Sequence, residues 1–259
     1  MATFTNFSDL LPDPNFGINS AGATFSNSSQ FSTTSTKVLD GVAGPGFAKI
    51  KFTSDNTTQV SRTISGRGVT ASPSYHKWSF DISYNPLTRD EFDPVGAFLE
   101  SRRGRLNPFY VILPQHAKPK NTTFAAYTLA NLSAITVASA TAAGSPTLML
   151  NGFSAISGSP SPGDFFTITD SSDVNHKKAY KVVRVEDNGT YQTGTTAPAL
   201  NTQRRVWTQP PISRAVAATA VINFINPQFR VIQKGDTMEY DLDTDNLYQF
   251  SLSLEEILP

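Results

Sequence analysis

Asp241, Asp243 and Asp245 stand at alternate positions in "DLDTDN", the spacing with which a calcium-binding loop opens. Carboxylates so placed converge on a hard cation, but two further requirements fail. Asn246 occupies the position of the turn glycine, and Leu252 stands where a bidentate glutamate completes the coordination shell. These residues read better as an acidic β-turn, and no metal is expected. His76, His116 and His176 lie far apart and lack the HExxH and His-x-His spacings of zinc sites, so they read as surface or strand-edge residues. Gly41, Gly44 and Gly46 in "GVAGPG" match neither a dinucleotide nor a phosphate loop, and a turn between strands explains them. Ser154 in "NGFSAISG" misses the nucleophile-elbow spacing because Ile156 stands where the second glycine belongs. No pair of carboxylates is singled out for glycoside cleavage. The chain therefore reads as a non-enzyme with no catalytic residue and no cofactor.

Charge is distributed unevenly along a chain whose total is zero. Arg102, Arg103, Arg105, Lys118 and Lys120 face only Glu100 as an acid within residues 98 to 120. Residues 235 to 259 carry Asp236, Glu239, Asp241, Asp243, Asp245, Glu255 and Glu256 with no Lys or Arg. Solvated surface charge is one reading of these runs. The other is that opposite patches meet between neighbouring copies, where complementary charge sets register. Heterologous contacts of that kind close into rings when the rotation permits. On that reading Arg102, Arg103, Arg105, Asp241, Asp243 and Asp245 are candidate subunit-interface residues.

The elements that must position these groups are mainly strands. At 259 residues the chain is long enough for two modest domains. It has no cysteine, which excludes disulfides and thiolate chemistry. Its balanced charge offers no global attraction to nucleic acid or an anionic membrane. No basic leader, apolar leader core or run of ~18 apolar residues occurs, so the expectation is a soluble, cytoplasmically made protein with no membrane partner. Apolar alternation from Phe47 to Phe52, from Trp78 to Tyr84 and from Tyr248 to Leu254 predicts strands with one buried face. Between them, Thr88 and Glu91 form a capping box. Phe92, Val95 and Leu99 share a helical face, Arg102 and Arg103 suit the last turn, and Gly104 suits the stop. A helix over 88–103 is predicted, with Pro94 its misfit, followed by a strand over 107–113. "AITVAS", "PTLMLNGF", "DFFTIT" and "AYKVVRVE" predict short strands of a small sandwich or barrel. The expected organisation is an N-terminal arm (1–23) with little core of its own, a core β-sandwich with one packed helix (24–118 and 227–259), and an inserted β domain (119–226).

With these elements placed, "SPSYHKWSFDISYNPLTRDEFDPVGAFLESRRGRLNPFYVILP", "NPQFRVIQKGDTMEYDL" and "LYQFSLSLEEIL" resemble the strand, helix, strand and final strand of phage distal tail proteins and the related minor tail proteins of long-tailed phages. "TLMLNGF", "PSPGDFFTI" and "HKKAYKVVRV" resemble an insert found in such proteins. The resemblance spans some 200 residues and rests on structural pattern. It implies a β-sandwich assembled as a hexameric ring at the tail end of a virion, joining the tail tube protein to the baseplate hub. DNA would pass through its lumen without specific binding. The inserted domain would dock fibre or wedge proteins, or bind host saccharide. A carbohydrate-binding adhesin or receptor-binding tail component, with Trp207 or Tyr191 as exposed platforms, is the first alternative; an endolytic or cell-wall enzyme is the second.

Overall fold

The computed structural model describes residues 9–11, 47–71 and 76–259, apart from the side chains of Asp90, Glu91 and Pro94. Gly41, Gly44, Gly46 and most of the expected arm lie outside these residues. The fold is mainly β, and the chain divides into two compact units.

The first unit comprises residues 77–111 and 230–257 with the chain before residue 56. Its curled sheet has the order β1 (Phe47–Asn56), β4 (His76–Tyr84), β14 (Tyr248–Glu256), β12 (Gln228–Gln233) and β5 (Phe109–Ile112), with β13 (Tyr240–Leu242) paired to β14. The alternation of β4 is realised in full: His76, Trp78, Phe80, Ile82 and Tyr84 are buried and the residues between them are half-buried. β14 lies antiparallel beside it, pairing Leu252 with Ile82 and Leu254 with Phe80. Phe52 of β1 stacks on Trp78 with centroids 4.8 Å apart.

Helix α1 (Arg89–Arg102) lays Phe92, Val95, Phe98 and Leu99 into this core. Phe92 stacks on Tyr248 at 4.5 Å, and Phe98 meets Phe109 edge-on at 5.4 Å. The helix runs through Pro94 and ends where Arg103 and Gly104 turn left-handed, at φ 54° and 63°. A Cβ at Gly104 would lie 2.9 Å from Asp236 Oδ1, so close packing and φ both require glycine there. The Leu99 carbonyl near the helix end accepts from Gln233 Nε2 at 3.4 Å.

The expected arm contributes more than its sequence suggested. Leu10 bridges Tyr110 in parallel, Tyr110 N–H donates to the Asp9 carbonyl at 2.6 Å, and Leu11 N–H donates back to Tyr110 O at 2.8 Å. Leu10 and Leu11 are both buried, so this part of the arm belongs to the core. Two adjacent leucines carry no period, which is why the pattern did not reveal it.

The second unit, residues 56–76 and 112–229, holds a closed six-stranded barrel. Its strands run in the order β10 (Gln203–Gln209), β7 (Thr147–Asn151), β6 (Thr136–Val137), β11 (Val221–Asn223), β8 (Phe165–Thr169) and β9 (Ala179–Glu186). Closure removes the open edges that a small sheet would expose. Leu148, Leu150, Phe166, Ile168, Tyr180 and Val206 are among its core residues. A second helix, α2 (Thr122–Ala130), was not foreseen. Asn121 caps it, its Oδ1 accepting from Thr123 N at 3.0 Å and Phe124 N at 3.2 Å, and Phe124 fills the barrel core. The unit also holds an antiparallel hairpin, β2 (Gln59–Arg62) and β3 (Gly68–Ala71).

Leu11→Ala should destabilise the first unit by about 2–5 kcal/mol, the usual cost of emptying a buried leucine site. The chain has two tryptophans, so urea unfolding of a Trp207→Phe background reads Trp78 alone. A midpoint unchanged by Leu11→Ala would show that the N-terminal pairing contributes nothing.

Candidate functional site

The six interface candidates fall into different roles. Arg102 NH1 donates to Asp9 Oδ1 at 2.8 Å, and its guanidinium lies 4.7 Å above the Phe98 ring. Arg105 NH2 donates to Glu255 Oε1 at 3.0 Å, while its backbone N–H donates to Asp236 Oδ1 at 3.2 Å. The basic joint and the acidic terminus therefore do meet, but inside one chain. Arg103 is exposed and has no side-chain partner among the described residues.

The acidic run divides in the same way. Asp243 Oδ1 accepts from Asp245 N and Leu247 N, both at 2.9 Å, and Asn246 N–H donates to the Asp243 carbonyl at 3.1 Å. This is the acidic turn expected from the sequence: the carboxylate holds backbone, and Asn246 supplies the positive φ of 60°. Glu255 also accepts from Lys77 Nζ at 3.0 Å, and buried Glu256 accepts from Trp78 N at 3.2 Å. Burial pushes the Glu255 carboxyl up, but the hydrogen bonds from Lys77 and Arg105 outweigh it and hold it below its ordinary value. Glu239, Asp241 and Asp245 of this run are exposed.

The barrel unit carries a group of buried titratable side chains that sequence reading missed. Of the histidines expected at the surface or a strand edge, His76 is buried at the start of β4, His176 is buried just before β9, and His116 is half-buried with its ring 4.7 Å from that of Phe165. His176 Nε2 and Tyr180 OH lie 2.8 Å apart, and Tyr180 OH lies 2.7 Å from Ser213 Oγ. No motif spacing marks the pair, since His176 lies just after a turn and Tyr180 within β9. Burial holds the His176 imidazole below its ordinary value, while Asp173 and Asp170 pull it the other way.

Beside it lies a shallow groove lined by Asp170, Ser172, Asp173, Arg214 and Ala217 among others. Its carboxylates are already engaged. Asp170 accepts from Ser172 N at 2.8 Å and Ala217 N at 2.7 Å, and Asp173 accepts from Arg214 Nε at 2.5 Å and NH2 at 3.2 Å. Burial raises the Asp170 carboxyl, yet these N–H donors bring it below the usual range. The groove is thus a stapled loop junction. Asp170 holds two backbone amides, and Asp173 holds the Arg214 guanidinium and the Asn175 amide.

At β9 and β10, Glu186 is wholly buried. It accepts from Arg205 NH1 and Trp207 Nε1, each at 3.0 Å, and pairs with Arg184 at 3.1 Å. Arg205 continues to Thr195 Oγ1 at 2.6 Å and to the Thr196 carbonyl, so the cluster ties down residues 187–202. Trp207 is half-buried with its indole N–H committed to this network, whereas Tyr191 is 39% exposed. No group of three His, Cys, Asp or Glu able to hold a metal occurs among the described residues, and none of their helices is long and apolar enough to cross a membrane. No protein-family model matches the chain, and no curated protein matches it in sequence.

Two outcomes follow. Glu186→Ala leaves Arg205 buried without its carboxylate and should cost the barrel about 3–5 kcal/mol, read by urea unfolding through Trp207. A loss below about 1 kcal/mol would contradict the buried pairing. His176, with a folded value below its unfolded one, takes up its proton more readily on unfolding. Its contribution is complete above about pH 6.5 and falls as pH drops toward the folded value. The barrel Tm should therefore fall between pH 7.5 and 5.5, and His176→Gln should flatten that slope. A slope unchanged in the variant would assign it to other groups.

Proposed function

We propose that the chain is a structural virion protein, a ring-forming distal tail or baseplate adaptor that joins the tail tube to the hub and fibres. The observation that carries this reading is architectural: a curled sheet with one packed helix, interrupted by a barrel inserted between two neighbouring strands. That is the arrangement implied by the resemblance to distal tail proteins. The use of the charged groups supports it as well. Asp170, Asp173, Asp243, Glu186 and Glu255 hold backbone or other side chains, which suits a protein whose task is a shape that does not yield. Function is then geometry, and no transition state has to be stabilised.

An adhesin is the second reading, favoured by exposed Tyr191 on the barrel unit. Its other expected platform is weaker, since the Trp207 indole N–H is bonded to Glu186.

Antibody raised to the purified chain, applied with gold to phage particles released by the cells that produce it, tests the adaptor reading. Label confined to the end of the tail is the expected result. Label absent from particles, together with saccharide binding that Tyr191→Ala abolishes, would replace the adaptor with the adhesin.

A further inference from the structure

Every residue of β2 and β3 is exposed. Val60 is 66%, Val69 52% and Ile64 110% exposed, an unusual load of branched apolar side chains for so short an element. The tip joining the strands is nevertheless defined. Thr63 N–H donates to Arg67 O at 3.0 Å, Gly66 N–H to Thr63 O at 2.8 Å, and Arg67 N–H to Thr63 Oγ1 at 3.1 Å. A lone two-stranded hairpin is at best marginally stable in water, so a second surface is what would hold it. Its charge is one-sided: residues 56–71 carry Arg62 and Arg67 and no acid. In the register, Val60 faces Thr70 and Arg62 faces Gly68, which puts an apolar and a basic side chain on one face with little opposite the arginine.

A surface of the opposite character lies on the first unit. β13 is bonded to β14 on one side, and no strand among the described residues pairs with its other edge. Tyr240 and Leu242 are 51% and 54% exposed. Along β13 runs a groove whose lining includes Pro86, Glu239, Tyr240, Asp241, Gln249 and Ser251, two of them acids, with no cation in the lining. Asp245 is exposed at the adjoining turn.

We infer that the β2–β3 hairpin of one copy docks along the β13 edge of a second copy. Arg62 and Arg67 then face Glu239, Asp241 and Asp245, and Val60 and Ile64 cover Tyr240 and Leu242. A second copy is the occupant because both halves of the contact are on this chain, with opposite charge and matching exposed apolar side chains. Each copy offers a hairpin and receives another, so the contact is heterologous and propagates from copy to copy. This inference rests on the self-assembly in the adaptor reading and names its surfaces. It moves the contact away from Arg102 and Arg105, which are paired within the chain.

The chain has no cysteine, so single-cysteine variants report only on the positions chosen. Val60→Cys and Leu242→Cys proteins are mixed at equal concentration, oxidised, and the covalent dimers identified by mass. The expected product is the mixed disulfide, in excess over either protein oxidised alone. Arg62→Glu with Arg67→Glu in the first protein should lower that yield about tenfold at low salt, and Asp241→Lys with Asp245→Lys in the second should restore it. Circular dichroism checks that these exposed substitutions leave the fold intact. Association without the mixed disulfide, or a yield indifferent to charge reversal, would overturn the docking inference and leave the adaptor reading standing. A chain monomeric at every concentration would overturn both.

Discussion

The pairing of β4 with β14 is the constraint on which the first unit depends. It joins strands far apart in the chain, and Lys77 and Glu255, bonded across it, are 178 residues apart in sequence. Closing so long a loop is costly in entropy, although the cost grows only slowly with length. The insertion point eases it. β5, where the chain leaves the sheet, and β12, where it returns, are neighbours in strand order, so the intervening barrel begins and ends about one strand spacing apart. A barrel that closes on itself acts as a short tie between β5 and β12, and the sheet can form as if the insertion were a turn.

Electrostatics serves that closure. Glu255 and Glu256, the last acids of the chain, reach Lys77, Arg105 and the Trp78 amide, and Asp236 holds the turn after α1. Each exposed pair is worth only about 0.2–1 kcal/mol, so the sheet is held mainly by Trp78, Phe80, Phe98, Phe109 and their neighbours. The pairs choose the register instead. A one-residue slip of β14 against β4 would turn its apolar face outward and separate Glu255 from Lys77 together. Charges bound in this way are withdrawn from the surface, whereas Arg62 and Arg67 of the β2–β3 hairpin and Glu239, Asp241 and Asp245 at β13 and its adjoining turn stay exposed.

The parts of the fold that were legible in sequence are those with one buried face. β4 and β14 alternate without a break, and α1 shows its apolar stripe, its basic last turn and its stop glycine. The mainly β class and the presence of short strands in the middle of the chain followed from the same patterning. What escaped did so for physical reasons. "NTTFAAYTLA" is apolar or small all round and has no stripe, so α2 was visible only through Asn121 as a cap. β10 was hidden by Arg204 and Arg205, because a buried arginine reads as solvent until Glu186 is known to lie beside it. His176 looked peripheral for the same reason, its partner Tyr180 being one strand start away. The charge runs were legible as runs, but which of their members bond within the chain depends on pairings that spacing does not encode.

We propose that this chain assembles with itself through complementary charge. Light scattering on the purified protein over a range of salt concentrations tests it most directly. The expected result is a mass of about six chains at low salt that falls toward one as screening shortens the reach of the exposed charges. A single-chain mass at every salt and protein concentration would contradict it.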